Sequence, residues 1–327
     1  SNDFLDQCAM KQIMISQDIF TAIIWPSGTK AKVIIEDIIP NIFYKKDLKI
    51  SLNGLRNFIS IVYKNENWIG SLEDGYSGSL LKALPCYSDS PISLVLFKPN
   101  KLKDLPIIKS KFRKIAGIGK SSIHINDSHE EAVRICNTFL NKNTMHFLDK
   151  VKPIKGKSFY INFKKFKNFI SNYKLDKNLI ALDGSMILSA YGLRDARDID
   201  YVAHSSIQKE LNVNDDSLIS LHNNKVRNYY RKNLDDLIND SRNYFLYEDI
   251  KFISLKQLKI MKLLRKEKKD LVDIRLINTI LELNIYNYMI ARLNQFIFFN
   301  ILRIKKILII YLKKFNLFTT VRRFYYF

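Results

Sequence analysis

Apolar positions come as short continuous runs in the first hundred residues and as helix-spaced stripes further on. Residues 19–25, Ile-Phe-Thr-Ala-Ile-Ile-Trp, form one unbroken run closed by Pro26-Ser27-Gly28, which predicts a buried strand and a turn. Segments 57–63 and 92–98 read as two more strands, with a loop-rich stretch around Trp68, Gly70, Gly75 and Gly78 between them. Ser122 to Asp127 alternates as a strand does. Ser128, followed by His129-Glu130-Glu131, predicts a capped helix through Leu140, because carboxylates suit the positive end of a helix. A Lys-rich hinge with Pro153 and Gly156 covers 150–157. Beyond it the pattern predicts a helix over 163–173, a short strand over 179–183, a helix from Ser185, a strand over 198–203 and two helices within 254–284. The fold class expected is α/β with a mixed sheet: a smaller N-terminal α/β domain over 1–152, a second domain over 153–285 and a helical tail over 286–327.

The run from Leu182 to Tyr201 adds chemistry to this outline. Its first half reads as strand, Gly184-Ser185 turn and amphipathic helix. Backbone amides at such a turn, with the Ser185 hydroxyl, favour a phosphate, and Gly184 lets the backbone approach an anion with no side chain in the way. Its second half, Asp198-Ile199-Asp200, puts two carboxylates on one face of a strand and the isoleucine on the other. Carboxylates so placed repel unless a cation lies between them, and Mg²⁺ is the usual partner where phosphates are also bound. Mg²⁺ or Mn²⁺ is therefore the expected metal, with ATP or another NTP as the substrate that carries the phosphates.

A Gly-Ser turn separated by twelve residues from Asp-hydrophobic-Asp resembles the signature of the DNA-polymerase-β-like nucleotidyltransferases. The Gly192-x-Arg194-x-x-Arg197-Asp198-Ile199-Asp200 arrangement is similar to the branch containing antibiotic- and toxin-type enzymes, as are Ile253 to Arg265 and Lys269 to Ile274. The resemblance spans about residues 160–280. It implies a nucleotidyltransferase core in which Asp198 and Asp200 are catalytic metal ligands. Gly184, Ser185, Arg194, Arg197 and Lys262 would be nucleotide-binding residues, and Lys262 would face the nucleotide. The fuller family pattern has a third carboxylate. Glu248 and Asp249 are the nearest candidates for that metal ligand, although both also suit a turn. The combination with Ile123-His124-Ile125-Asn126-Asp127 resembles proteins of bacterial surface-polysaccharide clusters, where such a module is fused to, or encoded beside, a glycosyltransferase.

Several residues have a plainer role beside the chemical one. Ser185 also suits a helix cap, Arg194 and Arg197 also suit pairing with Asp195 or Asp198, and Lys262 also suits a solvated helix face. Asp270 and Asp273 read as anchors of a helix rather than metal ligands. His124 with Asn126 and Asp127 reads as a strand-end turn that caps the next helix. His204 and His222-Asn223 lie close enough to the core in sequence to touch a substrate, yet suit structural roles. The lysines and glycines around Lys120 lack the spacing of a phosphate loop.

Charge sharpens the choice of partner only in part. The chain carries a formal +21, and eight Lys and Arg follow Glu282 with no acidic residue, which leaves +13 for residues 1–282. Such a balance attracts anions, although a Lys-, Ile- and Asn-rich composition has the same effect without function. Residues 295–318 mix apolar groups with Arg303, Lys305, Lys306, Lys313 and Lys314. The charges interrupt any membrane-spanning run, and the segment suits a basic amphipathic helix on an anionic membrane surface or a helix packed on protein. Three cysteines without CxxC spacing point away from a disulfide framework or zinc site and towards the cytoplasm, with the tail at the inner membrane face.

The function expected is Mg²⁺-dependent nucleotidyl transfer from an NTP to a small molecule or glycan precursor, in capsule or surface-polysaccharide biosynthesis. Three alternatives remain open at this level. One is ATP-dependent activation of a sugar carboxylate or hydroxyl for ligation. Another is a toxin-like nucleotidyltransferase acting on tRNA or protein, RNA being the less favoured partner. The third is a non-catalytic module of a glycosyltransferase.

Overall fold

The computed structural model describes residues 2–207, 211 and 218–282, and beyond them only 293, 300, 304, 307–312, 314 and 315. Most of the expected tail, including most of 295–318, lies outside the described residues. The chain divides into two compact units, Ser1–Leu258 and Lys259–Phe327.

The first unit contains two sheets. Strands β1 (Phe20–Ile24), β2 (Ile42–Leu48), β3 (Ile92–Phe97) and β4 (Ile123–Ile125) make an antiparallel sheet in the order β2-β3-β1-β4. The two central strands are fully buried and apolar apart from Thr21 and Ser93, and edge strand β2 alternates between partly buried and exposed positions. Ala22, Ile24, Val95, Phe97, Ile123 and Ile125 pack one face against Ile35, Ile39, Ile108 and Phe112. Asn126 fastens the strand ends, its Oδ1 accepting from the Thr21 backbone amide at 2.7 Å.

Residues 57–63, expected as a strand, belong instead to a helix, Leu52–Val62. The β-branched run suggests a strand, but Leu55, Phe58, Ile59 and Val62 recur at the helical spacing and all are buried. The Ser51 side chain starts the helix by accepting from the Gly54 amide. The helix expected from Ser128 is found at His129–Leu140, and the Ser128 hydroxyl accepts from the Glu131 amide.

The second sheet comprises β5 (Ile180–Asp183), β6 (Ile199–Ala203), β7 (Ile219–Leu221), β8 (Tyr244–Tyr247) and β9 (Ile250–Ile253), in the order β7-β6-β5-β9-β8. It is mixed: β5 runs antiparallel to β6 and parallel to β9, and β6 runs parallel to β7. The helix Lys157–Asn172 lays Phe159, Phe163 and Phe166 against it, with Phe163 near Phe252 and Phe166 near Tyr201. The α/β class with a mixed sheet is therefore present.

Position 152 lies inside the first unit, and packing crosses it. The helix Lys142–Lys150 stacks Phe147 on Phe245 at 4.4 Å between ring centroids, and Asn141 donates to the Tyr244 carbonyl. On the other side Asn57 donates to the carbonyls of Leu148 and Val151. This short helix joins the two sheets through aromatic stacking and buried amide bonds.

In the second unit the helix Lys268–Leu281 begins with a reciprocal cap between Glu267 and Asp270. Among the described residues no helix is long and apolar enough to cross a membrane.

Candidate active site at the Asp183 end of the second sheet

The site is assembled by one strand pair. Antiparallel register sets Asp183, the last residue of β5, directly opposite Asp200 on β6. The chain leaves β5 through Gly184 at φ 60° and ψ −129°, a conformation essentially restricted to glycine. A Cβ at this position would lie 2.6 Å from the Asp200 Oδ2, so the turn passes hard against that carboxylate. The next residue, Ser185, opens the helix Ser185–Ala190 and donates from its hydroxyl to the Asp198 Oδ1 at 2.9 Å. Consecutive residues of the turn thus meet the two carboxylates of the Asp-x-Asp segment. Asp198 is exposed, Asp200 is partly buried, and Ile199 between them is buried.

Asp200 is held from behind by a histidine. His222 Nε2 lies 2.9 Å from Asp200 Oδ1, and its Nδ1 lies 3.5 Å from Oδ2 of the fully buried Asp183. The second contact is an ion-pair approach rather than a hydrogen bond, since neither atom has a bonding partner. Tyr230 donates to the other oxygen of Asp183 at 2.5 Å. Burial alone would lower the His222 pKa. The contacts and charges of Asp183 and Asp200 outweigh it and push the pKa up to about 9, so the ring is an imidazolium at neutral pH. Burial likewise disfavours the Asp183 anion, but His222, Tyr230 and the Gly184 amide hold its pKa below the usual range. Neighbouring Asn223 fixes this histidine in the chain by clasping Ala203 of β6, donating to its carbonyl and accepting from its amide.

The other expected site residues fall differently. Arg197 is exposed beside Asp198, whereas Arg194 is partly buried and donates to the Asp195 carbonyl. Asn162 donates to the Ala196 carbonyl and Ser158 to Asp195, tying this loop to the helix Lys157–Asn172. His204 pairs with Asp235 at 3.6 Å and takes no part in the cluster.

Glu248 and Asp249 do not complete a metal site. They form the two-residue turn between β8 and β9, both at positive φ. Because β9 runs parallel to β5, that turn precedes Ile250 and lies at the Ile180 end of the sheet, away from Asp183. There Lys64 sits 3.3 Å from Glu248 and 2.7 Å from Asp249, and Tyr76 donates to Glu248. Lys262 is held by ion pairs of its own. It is buried within the second unit, 3.0 Å from Asp270 and 2.7 Å from Asp273, and Arg265 adds a bond to Asp270. Asp270 and Asp273 thus anchor a helix pair, as the plainer reading of the sequence has it.

Hard carboxylate oxygens converging on a glycine-serine turn suit Mg²⁺, which needs only one or two carboxylates when phosphates and water supply its other ligands. Among the described residues no three acidic, histidine or cysteine side chains group as a metal cage. Asp183 and Tyr230 belong to the cluster although no motif in the sequence marks them. A lone carboxylate ending the apolar run Ile180-Ala181-Leu182 was the available signal for the first; nothing local marks the second.

No family model matches the chain, and neither a curated protein nor a solved structure matches it.

Proposed function

We propose that the chain is a nucleotidyltransferase of polymerase-β-like type, transferring a nucleotidyl group from ATP or another NTP to a small-molecule or glycan-precursor acceptor. One observation carries this reading: adjacent turn residues, Gly184 and Ser185, meet Asp200 and Asp198 respectively. Asp198 and Asp200 would hold Mg²⁺, which when bound offsets charge on the phosphates. Gly184 keeps the turn clear of a side chain where the triphosphate would lie, and Ser185 orients Asp198 through its hydroxyl. His222 fixes the rotamer of Asp200, and the buried Asp183 holds the ring and balances its charge. Arg197, exposed beside Asp198, is placed to contact phosphate. A role in surface-polysaccharide assembly belongs to this proposal by resemblance alone, as does a glycosyltransferase neighbour; a membrane-facing tail belongs to it through the basic and apolar pattern of 295–318. The test is incubation of the purified protein with each NTP and Mg²⁺, alone and with sugar or sugar-phosphate acceptors. Nucleotide consumption with pyrophosphate release supports the reading. A folded protein that consumes none of them contradicts it.

A further inference from the structure

A second cleft, of about 780 Å³, opens beside the first sheet, a size within the rough range of 300–1,000 Å³ typical of small-molecule sites. One wall is cationic. Lys82 comes from the helix Gly78–Cys86, Arg113 from the helix Leu105–Ala116 and Lys120 from the turn before β4. Lys82 Nζ donates to the Lys120 carbonyl at 2.9 Å, which draws the two lysines together. Burial, and the like charges of Arg113 and Lys120, hold the Lys82 pKa below its usual range. The Arg113 Nε is buried with no hydrogen-bond partner. Two aromatic rings adjoin this wall: Tyr63 and Trp68 line the same cleft 5.1 Å apart between centroids, and Lys82 Nζ stands 5.8 Å over the Tyr63 ring.

Glu66, Asp127 and Glu131 are the carboxylates of the cleft, and among the described residues none of them forms an ion pair with this cationic wall. Asp127 pairs with Lys109 at 2.6 Å, and Glu131 is taken by the His124 ring at 2.8 Å and by the Asp127 amide. Among the described residues Lys82, Arg113 and Lys120 form no ion pair. Three clustered like charges, with one buried donor unmet, cost free energy that a multivalent anion would recover. The exposed Trp68 ring beside Tyr63 offers a face on which a planar ring stacks. The volume is too large for a lone phosphate and accommodates both parts.

We propose that this cleft binds a nucleoside diphosphate, with the diphosphate on Lys82, Arg113 and Lys120 and the base against Tyr63 and Trp68. The site is built wholly from residues outside the Asp198–Asp200 cluster and does not depend on the activity proposed for it.

The chain has two tryptophans, of which Trp25 is fully buried and Trp68 is 46% exposed, so ligand quenching of fluorescence reports on Trp68. The experiment titrates ADP and UDP into the full chain carrying Asp198→Asn, in EDTA, with adenosine and inorganic pyrophosphate as partial probes. Saturable quenching by a diphosphate is expected, absent in Trp68→Phe. Arg113→Gln and Lys120→Ala should each weaken it by about ten-fold or more, as losing a bond to a charged phosphate does. Lys120 is exposed, so its variant tests the site even where Arg113→Gln disturbs folding. Absence of saturable quenching overturns the proposal, as does unchanged affinity in Lys120→Ala. Pyrophosphate binding as tightly as the nucleotides, with no Trp68 response, also overturns it and leaves an anion site without a base pocket. Because divalent cation is withheld and Asp198 is replaced, failure here leaves the nucleotidyltransferase reading standing, and failure of NTP turnover leaves this one standing.

Discussion

The two ends of the second sheet carry similar carboxylates in opposite circumstances. At the Ile180 end, Glu248 and Asp249 sit in a hairpin turn and are answered by Lys64, with Tyr76 donating to Glu248. At the Asp183 end, Asp198 and Asp200 face a glycine-serine turn. His222 opposes Asp200, and it shares its charge with a third, buried carboxylate. Lys262 repeats the closed arrangement in the second unit, set between Asp270 and Asp273. An acidic cluster with its cation already built in is structure. One whose charge is left partly unmet, at a turn that excludes side chains, is prepared for a cation or phosphate from outside. Replacements at the closed clusters should therefore register as stability, and replacements at the open end as chemistry.

The largest stability effect is expected at Lys262. Lys262→Met leaves two buried carboxylates with one fewer cation, and unpairing a buried ion pair costs about 3–5 kcal/mol. Urea unfolding of the full chain checks this. A change below about 1 kcal/mol, the scale of an exposed pair, would mean that Lys262 is not structurally committed and return it to the list of nucleotide ligands.

Glu248→Ala comes next. It removes the acceptor of Tyr76 and one of two carboxylates beside Lys64, at a cost of about 1–3 kcal/mol. NTP turnover at a temperature where the variant remains folded should stay at the level of the unsubstituted protein. Selective loss of turnover would restore Glu248 as a metal ligand and remove the contrast between the ends.

The smallest effect concerns Lys155, a cation that forms no ion pair with a carboxylate among the described residues. It lies 5.3 Å over the Tyr247 ring and donates to the Lys152 carbonyl, and burial pushes its pKa down to about 7. The unfolded chain binds this proton more readily, so stability contributed by the site rises with pH between about 7 and the ordinary lysine value near 10.4. Lys155→Met should remove that rise. At pH 7 the net gain should be on the order of 1 kcal/mol, because the ring and carbonyl contacts are lost as well. Thermal melts of both proteins from pH 7 to 10 measure the difference. A parallel pair of curves would show that the ammonium is not desolvated.

What the sequence discloses follows the range of the interaction. The strand, turn and helix around Gly184-Ser185 are set within a few residues and are legible; the strand expected from 198 begins at Ile199, with Asp198 in the bend before it. The pairing of Asp183 with Asp200 follows from the antiparallel register of two nearby strands. The end of the sheet at which Glu248 lies is not legible, because it depends on β9 running parallel to β5, a long-range pairing that no local spacing encodes. Residues 57–63 mislead for a different reason. Asn57-Phe58-Ile59-Ser60-Ile61-Val62-Tyr63 is rich in β-branched and aromatic residues, and only the longer register from Leu55 to Val62, with the Ser51 cap, reveals the helix. His222 was noticed as a nearby histidine, but its place between Asp183 and Asp200 arises from the parallel pairing of β7 with β6. The cationic cleft was the least legible feature. Lys82, Arg113 and Lys120 come from three separate elements and show no common motif.

The central claim is tested most directly by pyrophosphate release from NTP and Mg²⁺, measured in parallel for the unsubstituted protein, Asp200→Asn and Glu248→Gln. Each substitution neutralises one carboxylate of similar size, at opposite ends of one sheet. The account predicts that Asp200→Asn loses at least about a hundred-fold in turnover, the scale of removing one group that stabilises reacting charge, while Glu248→Gln stays within about two-fold and both remain folded. Equal losses in the two variants, or turnover retained in Asp200→Asn, would contradict it.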